Sequence, residues 1–228
     1  MPVLTLKNIR SQWYGQTDVI FERLRRVLEA LEKVVIFVDE ADTQFGGVDS
    51  GTHDTEKRLT GKIQAMMSDP KLRGRVVWLL MTARIHRLSP DIRRPGRVGD
   101  LIIPILDPTG QDRKDFIKWM LKKAELPEDE LTSMVSDLDR DLPTGYSAAQ
   151  YAALRSYFSA YAPLTEKKVK DIIHDHLLPD IGETREYQKL QAMMNCTRRC
   201  LLPDPDVTDE TRQDWDRRIR ELESLGIS

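Results

Sequence analysis

Residues 34–47 read VVIFVDEADTQFGG. Five apolar side chains, Val34 to Val38, run directly into two carboxylates, Asp39 and Glu40. A short uninterrupted run rich in Val and Ile predicts a strand buried on both faces, the pattern of a parallel sheet flanked by helices. Ligands of such sheets bind beyond the carboxyl ends of the strands, where Asp39 and Glu40 would stand. An aspartate there can hold Mg²⁺ through its waters, and a neighbouring glutamate can orient or deprotonate an attacking water. That pairing points to nucleotide hydrolysis, although acidic residues also end strands at ordinary surfaces, so the flanking sequence has to decide.

Working outward, residues 2–9 (PVLTLKNI) alternate well enough for a first strand. TDVIFERLRRVLEALEK places Val19, Ile20, Leu24, Val27, Leu28 and Leu31 at helical spacing, with Thr17 or Asp18 able to cap it. After the Gly-rich stretch QFGGVDSGTHD comes a second helical pattern, TEKRLTGKIQAMMSD, stopped by Pro70. Val76 to Met81 form another fully apolar run and a second buried strand. LIIPI at 101–105 is expected as a further strand after a loop around Pro90 and Pro95. The order of these elements predicts an α/β layer with a mostly parallel sheet.

From Asp107 the pattern changes. Four stretches separated by Pro or Gly read as successive helices with no competing strand pattern, and LDPTG serves as the hinge. The expected division is an α/β part over 1–107, an all-helical part over 108–180 and a helical C-terminal extension over 181–228. The extension is expected to hold a helix from Tyr187 that contains both cysteines, a turn, and an amphipathic helix capped by Thr208 or Asp209.

The formal net charge is −2, from 35 basic and 37 acidic residues, which gives no general surface for nucleic acid or membrane. No apolar run approaches the roughly 20 residues of a membrane span, and the N-terminus lacks a secretory pattern, so a cytoplasmic protein is expected. Cys196 and Cys200 are expected as reduced thiols. A metal set made from them with His174 and His176 is disfavoured, because histidines two apart on a helix face different ways.

Five motifs now stand in a recognisable order. VVIFVDEAD resembles the Walker B strand of AAA+ ATPases, and VVWLLMTAR is similar to their sensor-1 strand. SPDIRRPGRVGDLIIPILDP resembles the arginine-finger segment of the narrower AAA subgroup. SQWYGQTDVIFERL is similar to the pore loop and its following helix, and PTGYSAAQYAALRSYF resembles the sensor-2 region of the helical lid. The resemblance covers roughly residues 2–160.

The resemblance implies roles for particular residues. Asp39 would hold Mg²⁺ through water beside the ATP phosphates, and Glu40 would polarise the attacking water. Thr82 stands where many members carry Asn and would help place that water. Arg94 and Arg97 match the finger arginines, which in this family reach a neighbouring subunit's nucleotide; a homo-oligomeric ring, a hexamer, is therefore expected. Trp13, Tyr14 and Gly15 match the pore loop that grips a translocating protein substrate. Gln150 replaces the usual acidic residue of the sensor-2 region, and no catalytic role is assigned there.

The family's phosphate-binding loop, G-x-x-x-x-G-K-[ST] (Walker A), is absent from the sequence. Gly61-Lys62 is followed by Ile63 and has Glu56 where the first glycine should be. By resemblance the chain begins at the family's second strand, with the missing parts upstream of Met1. ATP affinity should then be weak. The missing strand would lie between the sensor-1 strand and LIIPI, so two inner edges are expected to be unpaired. Three readings follow: part of an ATPase that remodels or unfolds proteins, a half-domain complemented by a separate Walker A-containing chain, or a non-catalytic interaction or regulatory module.

Overall fold

The structure, a computed structural model, describes residues 1–6, 17–31, 33–45, 54–177 and 181–227. The run at 34–38 forms β2 (Val34–Val38), the middle strand of a parallel sheet between β1 (Val3–Leu6) and β3 (Val76–Leu80). The first helix, α1 (Thr17–Ala30), leads towards β2. A short helix, α2 (Ala41–Phe45), follows β2 almost at once, and α3 (Asp54–Met67) leads towards β3. The register sets Leu4, Ile36 and Trp78, then Leu6, Val38 and Leu80, on one face of the sheet. That face packs with Phe21, Leu24 and Leu28 of α1 and Ile63 and Met66 of α3 into one core. Full burial of each such aliphatic or aromatic side chain contributes about 1.5–3 kcal/mol. The core stripe of α1 is Phe21, Leu24 and Leu28, continued by Leu31 just past its end, whereas Val19 and Val27, expected inside, are exposed. Arg75 closes α1 by donating to the carbonyls of Glu29 and Leu31 at 2.9 and 3.0 Å.

The opposite face of the sheet carries Val3, Val35 and Val77, then Thr5, Phe37 and Leu79. Here the expectation of burial on both faces is corrected: Val3, Val77 and Leu79 are 62%, 54% and 48% exposed, and β2 alternates between buried and half-buried residues. Among the described residues β3 also has no second strand beside it. The strand expected at 101–105 does not form. Ile102 instead donates to Thr197 Oγ1 at 2.9 Å and accepts from the Thr197 N–H at 3.4 Å, and Pro104 has no N–H for a ladder.

The chain divides into two compact units, one made of Met1–Pro104 with Gly182–Ser228 and the other of Ile105–Ile181. The second contains α4 (Gly110–Leu121), α5 (Glu128–Asp141), α6 (Ala148–Tyr161) and α7 (Glu166–Asp175) around Ile117, Met134, Tyr151, Leu154, Phe158 and Val169. Ser147 and Gln150 form a capping box on α6, and Thr165 caps α7. The fold is therefore a partial α/β sheet with flanking helices and a helical C-terminal part.

In the first unit the C-terminal segment forms a helical hairpin of α8 (Gly182–Met194) and α9 (Asp209–Ser224), with Thr208 capping α9. The cysteines lie outside α8, contrary to expectation. Asn195 Nδ2 donates to the Gln191 carbonyl at 2.8 Å where the helix stops; Cys196 follows in the turn and Cys200 in a short 3₁₀ segment, both as free thiols.

Candidate functional site

Asp39 directly follows β2 at the carboxyl edge of the sheet, and the residue is exposed. Asp39 Oδ1 accepts the Glu40 N–H at 2.9 Å, and the Asp39 carbonyl accepts Gln44 Nε2 at 2.9 Å. Glu40 has φ of 48°, a left-handed conformation that a side chain other than glycine adopts at a cost of order 1–3 kcal/mol. Its carbonyl accepts from the Thr43 N–H at 2.9 Å and the Thr43 hydroxyl at 2.7 Å, which starts α2 directly. Both carboxylates therefore project at the strand end on a backbone turned sharply away.

Thr82 stands just after β3, as Asp39 stands just after β2, and the two strand ends are joined by Met81 N–H to Val38 O and Ala41 N–H to Met81 O, each at 2.8 Å. The Thr82 hydroxyl donates to Asp42 Oδ1 at 2.6 Å and accepts the Arg84 N–H at 2.9 Å. Asp42 Oδ2 takes Arg84 through Nε and Nη2, both at 2.7 Å. Asp42 is buried, and these contacts satisfy its carboxylate. Sequence reading gave Asp42 no role. Its place on the first turn of a helix three residues after Asp39 was the available signal, but its partners Thr82 and Arg84 are 40 and 42 residues away.

Arg94 and Arg97 lie on the loop after Ser89. Arg94 is exposed and pairs with Asp91 at 3.1 Å. Arg97 is half-buried, donating from Nε to Ser68 Oγ at 3.1 Å and from Nη1 to the Asp91 carbonyl at 2.6 Å. Two glycines allow this turn: Gly96 has φ of 82°, and a Cβ on Gly99 would lie 1.8 Å from the Arg93 carbonyl oxygen. Among the described residues neither arginine bonds to Asp39 or Glu40. The structure thus gathers Asp39, Glu40 and Thr82 at one edge and holds Arg94 apart, facing solvent. Trp13, Tyr14 and Gly15 lie outside the described residues.

An exposed aspartate with a free carboxylate oxygen at a strand end fits Mg²⁺, which keeps several waters and takes few protein ligands. The phosphates of a nucleotide find less. Gly61 and Lys62 sit in the middle of α3, whose backbone N–H groups are used within the helix, so this pair is no phosphate loop. The residues present therefore suit a hydrated metal ion, and among the described residues Gly61 and Lys62 form no phosphate cradle.

His86, in a 3₁₀ turn after the sensor-like strand, meets Tyr187 of α8 edge-on with ring centroids 5.0 Å apart. Both its ring nitrogens are buried without a partner. Burial, then the nearby Arg87, holds its pKa below the usual histidine value.

Residues 3–104 match the family described as "ATPase family associated with various cellular activities (AAA)". Protein SAV of Sulfolobus acidocaldarius is 31% identical over 159 residues, 68% of this chain and 19% of that protein. The cell division cycle protein 48 homolog of Archaeoglobus fulgidus is 30% identical over 151 residues, 64% of this chain and 19% of that one. The chain thus spans about 19% of the length of these relatives. A chain from the structure of the E. coli MS115-1 HORMA:CdnC:Trip13 complex has a likeness of fold at TM-score 0.60 and 16% identity, covering 78% of this chain and 64% of that chain. The family match contains the whole sheet and every described residue of the Asp39 edge, and residues 3–104 are identified as a domain of the AAA family of ATPases.

Proposed function

We propose that this chain supplies the hydrolytic and lid portion of an AAA ATPase that couples ATP hydrolysis to remodelling or unfolding of a protein substrate. In this reading residues 1–107 are the hydrolytic part, 108–180 the lid and 181–228 an extension. The carrying observation is the placement of Asp39 and Glu40 at the carboxyl end of the central strand, joined to the end of β3 where Thr82 stands. Asp39 would hold Mg²⁺ through its waters, and Glu40 would orient or deprotonate the attacking water. Bound ATP and Mg²⁺ supply the phosphoryl group and its charge neutralisation. Thr82, its proton committed to Asp42, fixes the geometry between the two strand ends. Arg94 extends to a neighbouring subunit's nucleotide, and Arg97 braces the loop that carries it. A ring, a hexamer, working in the cytoplasm on a protein gripped by Trp13 and Tyr14 completes the proposal. Among the described residues no helix is long and apolar enough to cross a membrane.

The outer edge of β3, which has no strand beside it among the described residues, and the exposed Val77 and Leu79 favour one particular form of this reading, in which a strand and helix bearing the phosphate loop join the sheet there. With that element present, Glu40→Gln is expected to retain ATP binding and to slow turnover by about 10²–10⁴-fold. Undiminished turnover would remove the role of Glu40, and absent turnover by the completed protein would leave a non-catalytic interaction module.

A further inference from the structure

We infer that the α8–α9 hairpin is a clamp on the arginine loop, with Asn195 and Thr197 as positioning residues for Arg94 and Arg97. Asn195 sits at the end of α8. Its Nδ2 donates to the Gln191 carbonyl at 2.8 Å, which turns Oδ1 outward to accept Arg93 Nη1 at 2.9 Å. Arg93 also donates from Nε to the Leu88 carbonyl at 3.1 Å, so its side chain ties the start of the loop to the hairpin. The other end is tied two residues further along the hairpin, where Thr197 exchanges its two hydrogen bonds with the backbone of Ile102. Residues 94–101, which carry both arginines, lie between these two attachments.

Slack is small inside that span. Gly99 presses against the Arg93 carbonyl so closely that no Cβ fits, and Gly96 N–H donates to Asp100 Oδ1 at 2.8 Å. The hairpin itself is braced: Glu186 receives Arg218 in a two-pronged pair at 2.9 and 2.8 Å, Tyr187 donates to Glu223 at 2.9 Å, and Leu190, Ile219 and Leu222 are buried. An arginine that serves a reaction on another molecule has to be held in place beforehand, because misplacement by about 1 Å can slow a reaction by about 10²-fold. A clamp at both ends of the loop provides that fixation and gives the C-terminal extension a role in the site.

The clamp rests on the proposed role of the arginines for its purpose, but its test does not. In the 228-residue chain, labelled at arginine Nε, solvent exchange of the Arg97 Nε–H is measured by NMR. Asn195→Leu removes the acceptor for Arg93 and Thr197→Val breaks the second attachment at an exposed residue. Each is expected to speed Arg97 Nε–H exchange roughly tenfold while leaving the amides of β2 and β3 unchanged. Asn195→Asp keeps the acceptor and is expected to restore slow exchange. Unchanged Arg97 exchange in both Asn195→Leu and Thr197→Val, or equal acceleration throughout β2 and β3, overturns the clamp. Arg94→Ala removes the proposed hydrolytic role yet leaves the Arg97 signal alone, so failure of the ATPase reading and failure of the clamp give different results.

Discussion

In the helical unit Tyr151, Leu154 and Phe158 of α6 are fully buried, and Arg113 is satisfied by Asp139 and by the carbonyls of Asp139, Leu142 and Pro143. On the sheet of the α/β unit, Val77 and Leu79 of β3 stay half exposed, and among the described residues no strand pairs with the outer edge of β3. In the first region these core side chains and the Arg113 guanidinium are enclosed, while Trp119, Tyr157 and Tyr161 stay at the surface. In the second, apolar residues are held ready on one face while the carboxylates at the strand ends are already in place. The contrast sets a region whose core closes on itself beside one whose sheet leaves an apolar face exposed.

Paired truncations sharpen that contrast most strongly. Phe158→Ala is expected to cost about 3–5 kcal/mol in denaturant unfolding, and Leu79→Ala less than about 0.5 kcal/mol. A loss of several kcal/mol at Leu79 would show that the sheet face is covered. Next in size is Asp42→Ala, which leaves Thr82 and Arg84 without their shared acceptor; about 2–3 kcal/mol is expected, below the full value for a buried pair because the Arg84 side chain is 36% exposed. Calorimetric melting checks it.

His86 gives a smaller, pH-dependent effect. Its folded pKa lies below 6.5, so above that pH both folded and unfolded chains carry a neutral ring and stability is flat. As the pH falls below 6.5 the unfolded chain binds a proton that the buried ring resists, and stability declines towards the folded pKa. Arg84 and Arg87 oppose the added charge, while Asp42 and, beyond Tyr187, Glu223 favour it. Melting temperatures between pH 7.5 and 5.5 should show this decline, and His86→Phe should flatten it. The smallest expected effect is that of Arg94→Ala, within about 0.5 kcal/mol, since its pair with Asp91 is a solvent-exposed one. A larger loss would tie Arg94 to the fold of its own chain.

Periodicity and turn chemistry made most of the elements legible in advance. Val34–Val38 and Val76–Leu80 were readable because apolar runs of that length have few alternatives, and the four helices of the second unit because Pro and Gly separate them. LIIPI misled: its composition suits a strand, but strand formation depends on a neighbour, and Thr197 takes the hydrogen bonds of Ile102 instead. Asp39 and Glu40 were singled out by their place after an apolar run and Thr82 by the resemblance of its strand to sensor 1, and the structure brings all three to one edge of the sheet. Asp42, Asn195 and Thr197 were not singled out, because their contacts span 40 to 102 residues of sequence and no short motif records them.

Mg²⁺-dependent ATP binding and hydrolysis, measured on the 228-residue chain alone and on the chain preceded by a strand, phosphate loop and helix, bear on all of this together. The expected result is negligible binding by the chain alone and hydrolysis by the completed protein that disappears with Glu40→Gln. Hydrolysis by the chain alone at an equal rate, or a completed protein that folds and binds ATP yet turns over independently of Glu40, would contradict a hydrolytic edge at Asp39 and Glu40 that waits for its phosphate cradle.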